Sequence, residues 1–188
     1  MINKRQHQTG SSLIEVLVAL LVFSVGMLGL AALQLNALQG ASDSSQRSQT
    51  TWIMQDLAER FRANWEGTAA TYAAAPNCAA LPGTMCADYF NPATNSKVQA
   101  ANCTATQMAT FDRWEAQCSY SAIAAFNTID GRFNSRDSIS APANGLTLNV
   151  AAPTTSSLTI RGLWLGRADA AKGAGITTSQ TTQLEVQR

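Results

Sequence analysis

The stretch GSSLIEVLVALLVFSVGMLGLAAL, residues 10–33, decides the fold of this chain. No residue from Val16 to Leu33 is charged. At ~1.5 Å per helical residue this run spans roughly 27 Å, which is close to the hydrocarbon thickness of a bilayer. Lys4 and Arg5 precede it, so the positive-inside tendency predicts that the N-terminus is cytoplasmic and that the rest of the chain lies outside the cytoplasm.

The hydrophobic pattern alone does not distinguish among several kinds of N-terminal membrane segment. A secretory signal peptide would end at a small-x-small cleavage site, which Gly29-Leu30-Ala31 matches, although the apolar run is long for that class. An uncleaved membrane anchor is the second alternative. Neither explains Glu15, because a carboxylate at the edge of an apolar span costs about 2–3 kcal/mol or more. We therefore expect Glu15 to have a function.

Gly10, the Ser-Ser-Leu-Ile-Glu that follows it and the long apolar helix resemble the class III signal of type IV pilins and type II secretion pseudopilins. The resemblance implies that a prepilin peptidase cuts between Gly10 and Ser11 on the cytoplasmic side. It also implies that the leader, residues 1–10, is removed and that the new amine of Ser11 is methylated. Ser11 stands where the mature chains of this family usually begin with Phe or Met.

The resemblance also implies roles for three residues of the helix. In the family, the Glu at the position of Glu15 is thought to meet the N-terminal amine of a neighbouring subunit, which would select the register during assembly. A Glu that reaches the lipid headgroups is the alternative. Gly26 and Gly29 offer a notch for close helix packing or a point of local melting in the fibre, or are merely tolerated there.

The residue sequence of the helix makes the resemblance more specific. Residues 12–34 are similar to minor pilins of the PilV type, which carry a Glu-Val-Leu-Val-Ala-Leu core followed by a Gly-x-x-Gly stretch. The I-type pseudopilin of type II secretion shares that core, but it is usually much shorter than these 188 residues. The resemblance implies the α+β type IV pilin fold, in which a long N-terminal helix packs on a C-terminal antiparallel β-meander.

Composition excludes several function classes. The net charge is +1, or −1 once Lys4 and Arg5 leave with the leader, so no nucleic-acid partner is evident. The single histidine is His7, which lies in the leader. A mature chain without histidine has no Ser-His-Asp or Cys-His catalysis and no His-ligated metal. We therefore expect a chain that is not an enzyme, with no cofactor and no metal site.

The hydrophobic pattern becomes amphipathic after the apolar run. We expect residues 11–38 to form the membrane or fibre-core half of one helix and residues 39–66 its amphipathic half, with an end near Gly67. Asp56 and Arg60 have the spacing of an i,i+4 ion pair. Five residues three or four apart are predicted to share the core-facing side: Met54, Leu57, Ala58, Phe61 and Trp65.

The remaining chain predicts a small α+β head. Residues 67–145 read as loop-rich, with a short helix at 110–122 whose Phe111-Asp-Arg-Trp segment resembles PilV-type chains. Alternating stretches at 146–150, 157–165 and 184–187 predict an antiparallel sheet within residues 146–188. In the central strand, Leu158, Ile160 and either Leu163 or Trp164 are expected to face one side.

Four cysteines lie in the head, outside the cytoplasm: Cys78, Cys86, Cys103 and Cys118. An even count in an oxidising compartment favours disulfides. Three pairings are possible, and we favour Cys78–Cys86 with Cys103–Cys118 because sequence neighbours close small loops. A zinc site of four thiolates is the alternative, although no C-x-x-C is present.

The leading interpretation is a minor pilin, a structural and assembly subunit of a type IV pilus. Its implied partners are the prepilin peptidase, other minor and major pilins, the inner-membrane assembly platform and, before assembly, membrane lipid. Its implied location is the bacterial inner membrane, with one span and a periplasmic head, and then the extracellular pilus. A minor pseudopilin of type II secretion and a membrane-anchored surface-binding or adhesin domain are the alternatives.

Overall fold

The computed structural model describes residues 12–91, 94–118, 139, 147–167 and 177–188. The chain divides into two compact units, Met1–Ser42 and Asp43–Arg188, here called the first and second units. The α+β fold class predicted from the sequence is confirmed. In chain order the elements are α1 (Leu13–Ala63), α2 (Ala69–Ala73), β1 (Tyr89–Asn91), β2 (Ser96–Val98), α3 (Ala105–Gln117), β3 (Leu148–Thr154), β4 (Ser157–Arg167) and β5 (Thr177–Gln187).

The part of α1 in the first unit is helical without interruption and apolar on all sides. Every residue from Leu13 to Leu38 is exposed. The most apolar 18-residue stretch of α1 has a mean hydropathy of 2.7, and none of it is buried. The helix is thus long and apolar enough to cross a membrane, as the sequence predicts.

The part of α1 in the second unit buries one face. Ile53, Met54, Leu57, Ala58 and Phe61 are at most 4 % exposed and belong to one core cluster. Their spacing of three and four places them on the same side of the helix. The cluster also holds side chains of the sheet: Leu148, Val150, Leu158, Ile160, Trp164 and Val186.

Trp65 does not share this buried face, so its predicted place in the core was wrong. Its exposed fraction is 75 %. The helix ends at Ala63, two residues before Trp65, so the helical spacing no longer sets the direction of that side chain. The backbone turns here, and Gly67 N donates to Asn64 O at 3.1 Å.

The predicted antiparallel sheet is present and has the order β3-β4-β5. Leu158, Ile160 and Trp164 of β4 are buried, with Gly162 between them on the same face, whereas Leu163 is only half-buried. Side chains alternate along a strand, so Trp164 and not Leu163 continues the core face. The strands are longer than the sequence pattern indicated, because β5 pairs with β4 from Thr177 to Gln187.

Gly162 lets α1 approach the sheet closely. A Cβ atom at Gly162 would lie 2.2 Å from Thr50 Cγ2 and 2.7 Å from Met54 Sδ. Thr50 has little freedom to move, since it is buried and its Oγ1 donates to Gln46 O at 2.8 Å. The missing side chain in β4 is therefore what admits the helix at this point.

Residues 68–103 contain more regular structure than the loop that the sequence suggested. Thr68 caps α2 by accepting from Thr71 N at 3.2 Å. β1 and β2 pair as an antiparallel hairpin. These elements are only five and three residues long, which is too short for hydrophobic periodicity to reveal them.

The short helix predicted at 110–122 begins and ends earlier than expected. α3 starts after Thr104, which accepts from Gln107 N, while the side chain of Gln107 accepts from Thr104 N. This capping box is the start signal that the apolar spacing missed. Cys118, which caps the other end, is in extended conformation, so the helix stops at Gln117.

The structure contains two disulfides, but the pairing of sequence neighbours was wrong. Cys78 is bonded to Cys118 and Cys86 to Cys103, so the shorter loop lies within the longer one. Trp114 provides the physical reason, because its Nε1 donates to Asn77 O at 3.1 Å and to Ala80 O at 2.9 Å. The chain before and after Cys78 is thereby held against the end of α3, where Cys118 lies.

We predict that Gly162→Ala lowers the free energy of unfolding by about 1–3 kcal/mol, because the added methyl group overlaps the side chain of Thr50. Denaturant unfolding of the full chain in detergent would measure the change. Gly83→Ala is the matched control, since nothing lies within 4 Å of a Cβ at Gly83. Adding Thr50→Ser, which removes only the overlapping methyl, should restore part of the loss. Equal stability of the two glycine variants would contradict the close approach.

The two disulfides should contribute unequally to stability. Their sequence separations are 40 and 17 residues, so the chain-entropy model gives the Cys78–Cys118 bridge about 0.8 kcal/mol more than Cys86–Cys103. We expect the double variant Cys78→Ala with Cys118→Ala to unfold at lower denaturant than Cys86→Ala with Cys103→Ala. Non-reducing peptide mapping would check the pairing itself, and recovery of a Cys78–Cys86 peptide would overturn it.

Candidate functional site

The predicted site residues of the N-terminal segment fall into two groups. Gly10 and Ser11, where cleavage and methylation are expected, lie outside the described residues, so both modifications stay predictions. Glu15, Gly26 and Gly29 all lie in α1 within the first unit.

Glu15 occupies the first turn of α1. Its backbone N donates to Ser12 O at 2.9 Å, and Val16 N donates to the same oxygen at 3.3 Å, so the helix starts immediately before it. A negative charge in the first turn favours the helix by about 0.3–1 kcal/mol. The residue is exposed, as are Ile14 and Val16 on either side of it. An environment that covers those apolar neighbours therefore has to accommodate a carboxylate as well.

Gly26 and Gly29 lie three residues apart, so they are on the same side of α1. A Cβ atom at either position would meet nothing within 4 Å. The two glycines therefore leave a shallow depression in the surface of the first unit, which would let another helix approach closely. The expectation that they serve helix packing or local melting stays a prediction.

In the described part of the second unit, a polar cluster surrounds Arg60 near the end of α1. Arg60 Nε lies 3.0 Å from Asp56 Oδ2, which confirms the i,i+4 pair predicted from the sequence. Arg60 Nη1 lies 3.1 Å from Asp112 Oδ1 and 2.6 Å from Glu115 Oε2 on α3. Burial lowers the pKa of Arg60, but the hydrogen bonds and charges of these carboxylates outweigh it and raise the pKa further. The cluster ties α1 to α3.

Tyr72 of α2 completes this cluster. Its Oη donates to Asp112 Oδ2 at 2.8 Å and accepts from Asn64 Nδ2 at 3.2 Å. Burial raises the pKa of Asp112, while the hydrogen bonds from Tyr72 and Arg60 oppose that rise. Burial also raises the pKa of Tyr72, so the phenol stays protonated and remains a donor to the carboxylate.

Arg188, the residue after β5, caps the C-terminal end of α1. Its guanidinium carbon lies 4.3 Å from the centre of the Phe61 ring. Nη1 donates to Asn64 O at 2.6 Å, and Nη2 donates to Gly67 O. Cations are favoured at a helix C-terminus because they satisfy carbonyl groups that have no helical partner. Arg188 therefore combines a cation–π contact with a helix cap.

A second arginine, Arg113 of α3, is only 3 % exposed. Its Nη1 donates to Gln117 Oε1 at 3.1 Å, and its Nη2 donates to Leu148 O at 3.2 Å. Burial lowers its pKa to about 10. Gln117 Oε1 also accepts from Leu148 N at 3.0 Å, so the two side chains join α3 to β3.

These arrangements are structural in character. The four cysteines are all in disulfides, so their thiolates cannot form the zinc site considered from the sequence. Within the described ranges no group of three or more His, Cys, Asp or Glu side chains could hold a metal ion. The sequence pattern predicts one ion pair of the Arg60 cluster, Asp56 with Arg60, but not the contacts of Tyr72, Asp112 and Glu115. Their links to Arg60 span 12 to 55 residues and leave no local pattern.

Two family models match adjoining parts of the chain. The prokaryotic N-terminal methylation motif matches residues 5–31. The family described as type IV pilin Tt1218 matches residues 32–114. Together these matches support a type IV pilin that carries an N-methylation motif. No curated protein and no solved structure matches the chain.

We predict that Tyr72→Phe lowers the free energy of unfolding by about 1–2 kcal/mol at neutral pH, because the buried Asp112 loses a donor while the ring still packs on Phe61. The hydrogen bond from Tyr72 holds the pKa of Asp112 down, so its loss raises that pKa further. A higher pKa in the folded state adds stability at low pH that disappears as the pH rises.

The deficit of Tyr72→Phe should therefore be largest near neutral pH and shrink as the pH falls through the pKa of Asp112, which lies above the ordinary value of 3.8. Denaturant unfolding of both chains across this pH range would measure it. A deficit that stays constant with pH would contradict a hydrogen bond to an ionised Asp112.

Proposed function

We propose that this chain is a minor pilin, a non-enzymatic structural and assembly subunit of a type IV pilus. A prepilin peptidase would cut between Gly10 and Ser11 and methylate Ser11. The chain would rest in the bacterial inner membrane with one span and a periplasmic second unit, and then enter the extracellular pilus. Its partners would be other minor and major pilins and the inner-membrane assembly platform. The two family matches and the apolar part of α1 support this proposal.

The observation that carries the proposal is Glu15 at the start of the exposed apolar part of α1. The large apolar side chains from Leu13 to Leu38 are each about half exposed or more. Covering one such side chain is worth about 1.5–3 kcal/mol, so water is an unfavourable environment for this segment. Lipid can cover these side chains, and so can the same segment of neighbouring subunits.

The cost of burying the carboxylate of Glu15 differs between lipid and a bundle of neighbouring subunits. Placing the carboxylate of Glu15 in the hydrocarbon of a lipid bilayer is costly unless it reaches the headgroups. In a bundle of processed subunits, cleavage after Gly10 would supply a cationic amine at Ser11, close to the depth of Glu15. Pairing the carboxylate with that amine on a neighbour would offset the cost and favour a single register.

The PilV-type resemblance of residues 12–34 and the size of the second unit favour a minor pilin over the shorter I-type pseudopilin. The nature of the polar clusters agrees with a subunit that does not catalyse a reaction. The Arg60 cluster, Arg113 and Arg188 each join secondary-structure elements.

We predict that Glu15→Ala is processed normally but enters pili at a level reduced at least tenfold at natural expression. Removing one partner of a buried pair costs about 3–5 kcal/mol, because the amine of Ser11 would be left unpaired. Immunoblots of sheared pili and of the membrane fraction would give the ratio. Mass spectrometry of the mature N-terminus would show whether both chains begin at methylated Ser11.

Glu59→Ala is the matched control, since Glu59 is an exposed acid on the same helix but within the second unit. It should enter pili at the level of the unmodified chain. Normal incorporation of Glu15→Ala would refute the pairing role. A purified chain that begins at Met1 or near Leu30 would refute the processing.

A further inference from the structure

A cavity of about 450 Å³ lies at the C-terminal end of α1, entirely within the second unit. We call it the helix-end pocket. Its wall includes the end of α1, the turn that follows it and the first half of α3. The side chains that matter for its chemistry are Arg60, Asn64, Trp65, Glu66, Met108 and Asp112.

Trp65 is the aromatic side chain of this pocket. Its exposed fraction, 75 %, is the second highest among the large apolar residues that the structure describes, and the other exposed ones lie in the apolar part of α1 or at Trp52. Exposing an indole in this way costs stability, and tryptophan is enriched among residues that dominate protein interfaces. The indole face is also the aromatic surface that attracts cations best.

The charges of the pocket favour a cationic guest. Arg60 is the basic residue in its wall, but Asp56, Asp112 and Glu115 already surround that guanidinium. Its positive charge is thus offset even when Asp112 is protonated. Glu66 is exposed in the pocket wall and forms no ion pair with any residue that the structure describes. The pocket therefore offers an indole and, among the described residues, a carboxylate that has no ion-pair partner.

Arg188, the basic residue after β5 that contacts the end of α1, already has partners. Arg188 lies over Phe61 and donates to the carbonyl oxygens of Asn64 and Gly67. Its guanidinium therefore serves as the cap of α1, and the pocket wall does not include it. Besides Arg60, the residues that line the pocket include no cation that could pair with Glu66.

We propose that the helix-end pocket binds an arginine or lysine side chain of a protein partner. The cationic group would lie against the face of Trp65 and pair with Glu66. Its aliphatic stem would contact Met108, which is half-buried in the pocket wall. The pocket is large enough for one such side chain, and its wall combines apolar surface for the aliphatic stem with polar side chains for the cationic end.

The test uses the full chain in detergent micelles and a blocked tripeptide, acetyl-Gly-Arg-Gly-amide. The reporter is the NMR signal of the Met108 methyl group, which is present in every variant. We expect saturable shifts of this signal with the arginine peptide. The citrulline analogue, which has the same shape without the charge, should bind roughly tenfold more weakly.

Trp65→Leu and Glu66→Gln should each weaken binding of the arginine peptide roughly tenfold. Trp52→Leu and Glu59→Gln are the matched controls, because these residues are an exposed indole and an exposed carboxylate of α1 outside the pocket. They should leave binding unchanged. Equal weakening by all four variants, equal binding of the citrulline peptide, or no saturable shift would each overturn the proposal.

This inference does not rest on assembly into a pilus. The Glu15→Ala chain should bind the arginine peptide as the unmodified chain does, because Glu15 lies in the other unit. Failure of peptide binding would leave the Glu15 pairing intact. Normal assembly of Glu15→Ala would likewise leave the pocket intact.

Discussion

The rest of this structure depends on a single continuous helix that has to satisfy two different environments. Backbone groups in a hydrocarbon layer need internal hydrogen bonds, so a segment as apolar as Leu13 to Leu38 is stable there as a helix. The same helix continues to Ala63 and buries one face in the core of the second unit. The apolar segment already requires a helix, and the core of the second unit forms on the continuation of that helix. The sheet packs against the apolar face of this continuation.

The second unit holds its part of this helix with three kinds of link. Gly162 admits α1 close to β4, the Arg60 cluster joins α1 to α3, and Arg188 caps the helix end. The two disulfides close loops in the stretch that runs from the end of α2 to the end of α3. Cross-links of this kind stabilise chains that bury too little apolar surface per residue to hold a fixed shape by packing alone.

Sequence periodicity was sufficient for α1 and the sheet, because apolar side chains recur there at the spacing of a helix or a strand over many residues. It failed where the outcome depends on a single distant contact. The disulfide pairing follows from Trp114, whose indole holds the carbonyls of Asn77 and Ala80 at the end of α3. Tyr72 and Asp112 are hydrogen-bonded although they lie 40 residues apart, and no local sequence pattern predicts such a contact.

Trp65 shows that helical spacing predicts the direction of a side chain only as far as the helix extends. Its spacing from Phe61 predicted a core residue, but α1 ends at Ala63 and leaves the indole exposed. A helix C-terminus carries a partial negative charge, which adds to that of Glu66 beside the indole. Arg188 donates to the carbonyl oxygens of Asn64 and Gly67 at this helix end, but its side chain is not part of the pocket wall that holds Trp65 and Glu66. The preference of the helix-end pocket for a cation therefore follows from the same helix end that the core requires.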